Sequence, residues 1–227
     1  MERIELPGGK LGVFAGIAFA ILLFLTVAVV DAPLAASDQE VIAWWSDSGN
    51  QFNEVLSMFF ALFAGLSFLV FITQLCARLR AAEGGQASIT MLVFASGIVF
   101  TALLFIAGIA RGAIGMSVRF GDEPLPGVDM LRLVPEVSFV VLGPFGLITA
   151  ACGIAATSWL ILRTGAYGRW LGWFGFVVAV ALLLGSPIIG ALLLPVLLLW
   201  ALAMSFGMWR AGRHASTSGM AVPAPGV

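Results

Sequence analysis

Three charged residues, Glu54, Arg111 and Glu136, stand directly at the ends of long apolar runs and are the side chains best placed to do chemistry. At the edge of a low-dielectric region an arginine is stabilised by a carboxylate within hydrogen-bonding reach. We therefore predict that Arg111 forms an ion pair with Glu54 or Glu136, and we call these three residues the rim cluster. An arginine that extends its head group to water without a partner stays open as the alternative.

The first long polar segment carries a second group of candidate residues. Ser37 followed three positions later by Glu40 is a capping box, which predicts the start of a helix. Val41, Trp44 and Trp45 share one side of that helix, so it should be short, amphipathic and able to lie in a membrane interface. It could act as a lid on the other helices or as a platform for a lipid or ligand. The candidate platform consists of Trp44, Trp45, Asp38, Glu40 and Asp47.

This chain has few residues that could bind a metal or cofactor or act in catalysis. The only histidine is His214 and the only lysine is Lys10, and both stand outside the middle of every apolar run. Bis-histidine haem ligation, a histidine-rich zinc site and a Ser-His-Asp triad are therefore excluded, and so is a retinal Schiff base in a late helix. We predict no catalytic residue, no metal ligand and no cofactor. A cation held by acidic loops stays an alternative, although the spacing of a calcium loop is absent.

Six apolar runs must position these residues. About 20 apolar residues in a helix cross a bilayer core of ~30 Å, and only a helix satisfies its own backbone in lipid over such a run. Hydrophobic residues make up 61% of the 227 and charged residues 10%, against about 25% charged in soluble domains. The sequence predicts an all-α, polytopic transmembrane bundle of six spans. The runs cover residues 11–30, 55–77, 89–110, 137–162, 170–185 and 188–209.

Basic residues predict how the spans are oriented. Of the eleven basic residues, eight fall on one side of a six-span arrangement and three on the other. Arginine and lysine accumulate on the cytoplasmic side of a membrane. Both termini are therefore predicted to be cytoplasmic. The net charge of −1 argues against a nucleic-acid partner. The inner set is Arg3, Lys10, Arg78, Arg80, Arg163, Arg169, Arg210 and Arg213, and the outer set is Arg111, Arg119 and Arg132.

The chain divides into a cytoplasmic lead at residues 1–10, a membrane domain at 11–209 and a small, polar tail at 210–227 that is predicted to be disordered. Ser186 and Pro187 are predicted to end the fifth helix. Pro144 and Pro195 lie within spans and are predicted to kink them.

Several glycines lie four residues apart, as at Gly12 and Gly16 or Gly108 and Gly112, and such pairs let helices approach closely. They favour contacts within the bundle, with contacts between copies or with other membrane proteins as the alternative.

Three segments together resemble a known group of proteins. They are the interfacial segment at 37–50, the inner loop at 78–85 and the arginine-containing turn at 163–173. They are similar to those of six-span integral membrane proteins of unassigned function that are common in actinobacteria. The resemblance covers about residues 8–209. It implies the same fold and a membrane location, and it implies no activity and no functional residues.

These observations predict a multi-pass protein of the bacterial cytoplasmic membrane that contacts lipid. The favoured function is a non-catalytic scaffold, accessory subunit or regulator. A transporter or channel for a small or lipophilic solute is the second interpretation. A lipid-acting enzyme that uses outer acids such as Asp38 or Glu40 is the third.

Overall fold

The computed structural model describes residues 8–30, 37–84 and 87–218, and these form helices joined by short connections. Within those ranges the chain has no strand, so the predicted all-α class is confirmed. The α-helices are α1 Gly8–Ala28, α2 Asp38–Ser46, α3 Ser48–Ala82, α4 Ser88–Gly121, α5 Val128–Val140, α6 Leu147–Thr164, α7 Arg169–Ile189 and α8 Leu194–Ser218. A π-helical turn, Val141–Gly146, joins α5 to α6, and a 3₁₀ turn, Gly190–Leu193, joins α7 to α8.

Six helical segments in the described part of the chain are long and apolar enough to cross a membrane, which confirms the predicted number of spans. They are α1, α3, α4, the continuous run from α5 to α6, α7 and α8. With 35 residues, α3 is about 50 Å long, and a bilayer core is only ~30 Å thick. Helices α3 and α4 therefore extend well beyond the bilayer core. The predicted runs at 55–77 and 89–110 did not include these extensions.

The centre of the bundle is filled by aromatic side chains. The Phe19 and Phe68 rings lie 4.6 Å apart, and the Phe68 and Phe100 rings lie 5.1 Å apart. Trp200 meets Phe71 edge-on at 6.1 Å. The space left among the side chains around Phe68, Phe100 and Trp200 is about 10 Å³, roughly what one water molecule needs. The middle of the bundle is a packed core.

Glycines on α4 set how closely α3 approaches it. A Cβ atom added at Gly108 would lie 2.8 Å from the Cβ of Ala61, and one added at Gly115 would lie 2.6 Å from the carbonyl oxygen of Gln51. A Cβ atom added at Gly12 of α1 would likewise lie 2.5 Å from the Met208 side chain and 2.8 Å from the Cβ of Gln74. These glycines are therefore used for contacts inside the bundle, as favoured from the sequence.

The helix breaks differ from two of the predictions. Helix α7 continues through Pro187 to Ile189, and the chain turns at Gly190, whose φ of +53° suits glycine. The prediction of a stop at Ser186 and Pro187 is wrong. The predicted kink at Pro195 is wrong too, because Pro195 lies in the first turn of α8. Backbone N–H groups in the first turn have no partner within the helix, so the N–H that proline lacks costs no hydrogen bond there. At Pro144 the prediction of a distortion is confirmed, and it takes the form of the π-helical turn.

Helix α8 extends to Ser218, past residue 210 where the predicted tail begins. The guanidinium of Arg213 lies 4.0 Å from the centre of the Trp209 ring, a contact that favours helical geometry at this end. The lead at residues 1–7 and the last residues, 219–227, lie outside the described parts.

Candidate functional site

One end of the bundle carries α2 and the loop between α4 and α5, and we call it the acidic end. The opposite end carries Arg78, Arg163 and Arg169, and we call it the basic end. At the acidic end, α2, the first turns of α3, the last turns of α4 and the first turns of α5 enclose a small apolar core of their own. Its buried residues are Val41, Trp45, Ile114 and Leu131. We call this four-helix arrangement the cap.

Local hydrogen bonds fix the α2 part of the cap. The Ser37 hydroxyl accepts from the backbone N–H of Glu40, and the Glu40 carboxylate accepts from the N–H of Ser37 at 2.8 Å. This pair is the predicted capping box, and the hydrogen bond from the Ser37 backbone lowers the pKa of Glu40. Asp47 caps α3 by accepting from the N–H of Gly49 at 2.7 Å. Gln51 then donates its side-chain amide to the carbonyl of Trp45 at 2.7 Å, which ties α2 to α3.

The two tryptophans of the candidate platform lie in different environments. Trp45 is only 2% exposed, inside the cap core, whereas Trp44 is half-buried. Their rings meet edge-on at 5.1 Å. A flat surface made of both rings is therefore not formed, because Val41 and Trp45 hold α2 down on α5 and α3.

The acids of the candidate platform all have structural partners. Asp38 accepts from Arg132 at 2.7 Å, Glu40 belongs to the capping box, and Asp47 caps α3. The sequence predicted these three acids as part of the candidate platform. It could not show that each one is already engaged.

The rim cluster is brought together in part. Arg111 of α4 donates two hydrogen bonds to Glu54 of α3, from Nε to Oε2 at 2.9 Å and from Nη2 to Oε1 at 2.7 Å. The Glu54 side chain is 0% exposed and that of Arg111 is 27% exposed. Glu136 is exposed on α5 and makes no hydrogen bond with Arg111. Of the two acids predicted as partners, Arg111 therefore contacts Glu54.

The glycine face of α4 explains why Glu54 is the partner. Gly112 and Gly115 let α3 approach so closely that Met58 and the carbonyl of Gln51 lie against α4. Glu54 lies between those two α3 positions, level with Arg111. The carboxylate is thus closed off from water by helix contact, and the guanidinium is its hydrogen-bond donor.

A cavity of about 190 Å³ lies beside Arg111. Most of its lining is apolar and comes from α1 and the residues just after it, α3, α4, α5, the π-helical turn, the 3₁₀ turn and α8. Its hydroxyl groups donate to backbone carbonyls: Ser57 to Thr26 at 2.7 Å, and Ser138 to Ala107 at 2.9 Å. The lining residues are Thr26, Val27, Val30, Ser57, Ala61, Leu104, Ala107, Gly108, Arg111, Ser138, Phe139, Leu142, Leu192 and Leu194.

Sequence reasoning missed this cavity. Of its hydroxyl-bearing residues, Ser57 bonds across to α1, while Thr26 bonds to the carbonyl of Leu22 in its own helix. The cavity results from the gap between α1, α4 and the 3₁₀ turn, and no pattern in the sequence marks it.

Acidic loop residues do not gather into an ion site in the described ranges. Asp122, Glu123 and Asp129 are all exposed. Nowhere within residues 8–30, 37–84 and 87–218 do three His, Cys, Asp or Glu side chains group as metal ligands would.

Comparison with protein-family models, with curated proteins and with solved structures finds no match to this chain. The geometry of the six-helix bundle, the cap and the Arg111 cavity is therefore the basis for assigning a role. That geometry defines the class of protein, one with six membrane-span-like helices.

Proposed function

We propose that this protein is a non-catalytic scaffold, accessory subunit or regulator of the bacterial cytoplasmic membrane, and that its cap, facing outward, contacts a partner protein. The excess of arginine at the basic end supports this orientation, because basic residues accumulate on the cytoplasmic side. Six crossings then place both ends of the chain in the cytoplasm.

The observation that carries the proposal is a cap with its own core above a bundle whose centre is filled. The aromatic core leaves about 10 Å³ near Phe68 and Trp200, too little for a solute path through the middle. The cap, in contrast, exposes large apolar side chains. These are Ile42, Phe52, Met116, Phe120, Met130 and Leu133. A contiguous patch of exposed apolar side chains outside the membrane core is typical of a protein contact surface.

Site-specific photocrosslinking in native membranes tests the proposal. A photoreactive residue at Ile42, Phe52 or Phe120 is expected to give a protein adduct of one defined mass. The matched control is Val177, an exposed apolar residue in the middle of α7, where only lipid adducts are expected. Absence of protein adducts at all three cap positions, or the same adduct at Val177, would contradict the proposal.

The second candidate function is a carrier for a lipophilic solute, which the cavity beside Arg111 favours. The cavity gives such a solute a binding place that the packed centre does not offer. Counterflow of a labelled lipophilic anion in proteoliposomes, abolished by closing the cavity with Val27→Trp, would establish it. Uptake equal to that of empty liposomes would leave the scaffold function as the better assignment.

A lipid-acting enzyme finds less support. Asp38, Glu40 and Asp47 are held by Arg132, by the capping box and by the start of α3. None of these three lines the cavity, and no carboxylate is among its lining residues in the described part of the chain.

A further inference from the structure

The cavity beside Arg111 opens sideways, toward the region that lipid occupies. Three of its lining residues, Val27, Phe139 and Leu192, are also exposed on the bundle surface, Leu192 by 75%. Because the exposed apolar surface of spanning helices faces hydrocarbon chains, the mouth formed by these residues opens to lipid rather than to water.

The dimensions of the cavity fit one hydrocarbon chain. Its lining on α4 runs from Arg111 to Leu104, seven residues or about 10 Å along the helix. Its volume of about 190 Å³ is somewhat larger than the roughly 150 Å³ apolar cavity that admits benzene. That space accommodates part of a single acyl chain and excludes a whole lipid.

One end of this apolar space carries a hydrogen-bond donor with spare capacity. A guanidinium has five N–H donors, and Arg111 uses its Nε and one Nη2 donor on Glu54. Its remaining donors have no acceptor within the described part of the chain, while the hydroxyls of Ser57 and Ser138 are already engaged. Glu54 therefore fixes the guanidinium and leaves its other edge available. A planar guanidinium of this kind is well suited to phosphate oxygens.

We propose that this cavity binds one glycerophospholipid, whose phosphodiester accepts hydrogen bonds from Arg111 and one of whose acyl chains enters between α1, α4 and the 3₁₀ turn. The Arg111–Glu54 pair then has two roles, since it joins α3 to α4 and presents donors to the lipid. This inference stands apart from the proposed partner contact, which uses other residues of the cap.

Native mass spectrometry of the detergent-solubilised protein, titrated with dioctanoylphosphatidylglycerol, tests the acyl-chain half of the proposal. One retained lipid per chain is expected. Ala107→Leu, which fills the cavity, and Val27→Trp, which blocks its mouth without touching the packed core, should each weaken binding at least tenfold. Ala102→Leu makes the same change at an exposed position of α4 and should leave binding unchanged. Retention of wild-type affinity in both cavity variants would overturn the proposal.

The headgroup half is tested with the double variant Arg111→Gln, Glu54→Gln, which removes the guanidinium without leaving a buried charge. Binding of the phospholipid should fall at least tenfold, while Arg119→Gln, an exposed arginine on the same helix, should have no effect. Dioctanoylglycerol, which lacks the phosphate, should bind at least tenfold more weakly than the phospholipid. Inorganic phosphate alone should not displace the lipid. Equal binding of the two lipids, or displacement by phosphate, would show that Arg111 and the cavity do not act together.

Discussion

Breaking the contact between Arg111 and Glu54 should destabilise the bundle in a way that depends on which partner is removed. Removing one partner of a buried ion pair costs about 3–5 kcal/mol, and an exposed pair contributes at most about 1 kcal/mol. Glu54 is fully buried and Arg111 is 27% exposed, so this pair lies between those limits. Arg111→Ala leaves a buried carboxylate without a partner, and we expect it to lower the free energy of unfolding by about 2–3 kcal/mol. Glu54→Gln leaves a guanidinium that still reaches water, and we expect about 1–2 kcal/mol.

The assay is equilibrium unfolding of the purified protein in mixed micelles, with both single variants and the double variant. The double variant should lose less than the sum of the singles, with a coupling free energy on the order of 1–2 kcal/mol. Arg111→Ala combined with Glu136→Gln is the matched control, because Glu136 is exposed and does not contact Arg111. Its coupling should be near zero. If Arg111→Ala and Glu54→Gln add independently, the pair does not contribute to stability and the reasoning fails.

Two further predictions concern the close approach of α3 to α4 and the loop that joins them. Gly115→Ala places a methyl group 2.6 Å from the backbone carbonyl of Gln51 and should cost about 1–3 kcal/mol, whereas Gly212→Ala meets nothing within 4 Å and should stabilise α8 by up to about 1 kcal/mol. Equal effects of these two substitutions on unfolding would contradict the close contact. The Glu83 carboxylate accepts from the Thr90 hydroxyl at 2.6 Å, and this hydrogen bond is the largest cause of its lowered pKa. A lowered pKa in the folded state means that the stabilisation is present above the ordinary Glu pKa and is lost as the pH falls through the lowered value. The difference in stability between the wild type and Glu83→Gln, measured from pH 7 to pH 3, should therefore shrink toward acid, and a constant difference would refute this.

The sequence predicts the six membrane-span-like helices well because lipid requires long apolar runs, and such runs are visible residue by residue. Ser37 and Glu40 predict the start of α2 because a capping box is local. The position of Arg111 and Glu54 at the ends of their runs was enough to propose their contact, since few other partners exist at that depth.

Longer-range features were not predictable from single positions. Residues 48–54 and 111–121 were left outside the spans because they are not uniformly apolar, yet they continue α3 and α4. Gln51, Gly112 and Gly115 pack between those helices. The burial of Trp45 depends on Ile114 and Leu131, which are distant in the sequence. The Arg111 cavity depends on a gap between helices and turns from several parts of the chain. The turn at Gly190 depends on a backbone conformation that Pro187 does not impose.

The orientation of the cap is the claim on which the proposed function depends most directly, and cysteine labelling in intact cells tests it. Cys76 and Cys152 are first replaced by alanine, and single cysteines are introduced at Gly127 of the acidic end and at Ala166 of the basic end, both open to solvent. A membrane-impermeant maleimide should label Gly127→Cys in intact cells and Ala166→Cys only after permeabilisation. Labelling of Ala166→Cys in intact cells with protection of Gly127→Cys would place the cap in the cytoplasm and contradict the proposed function.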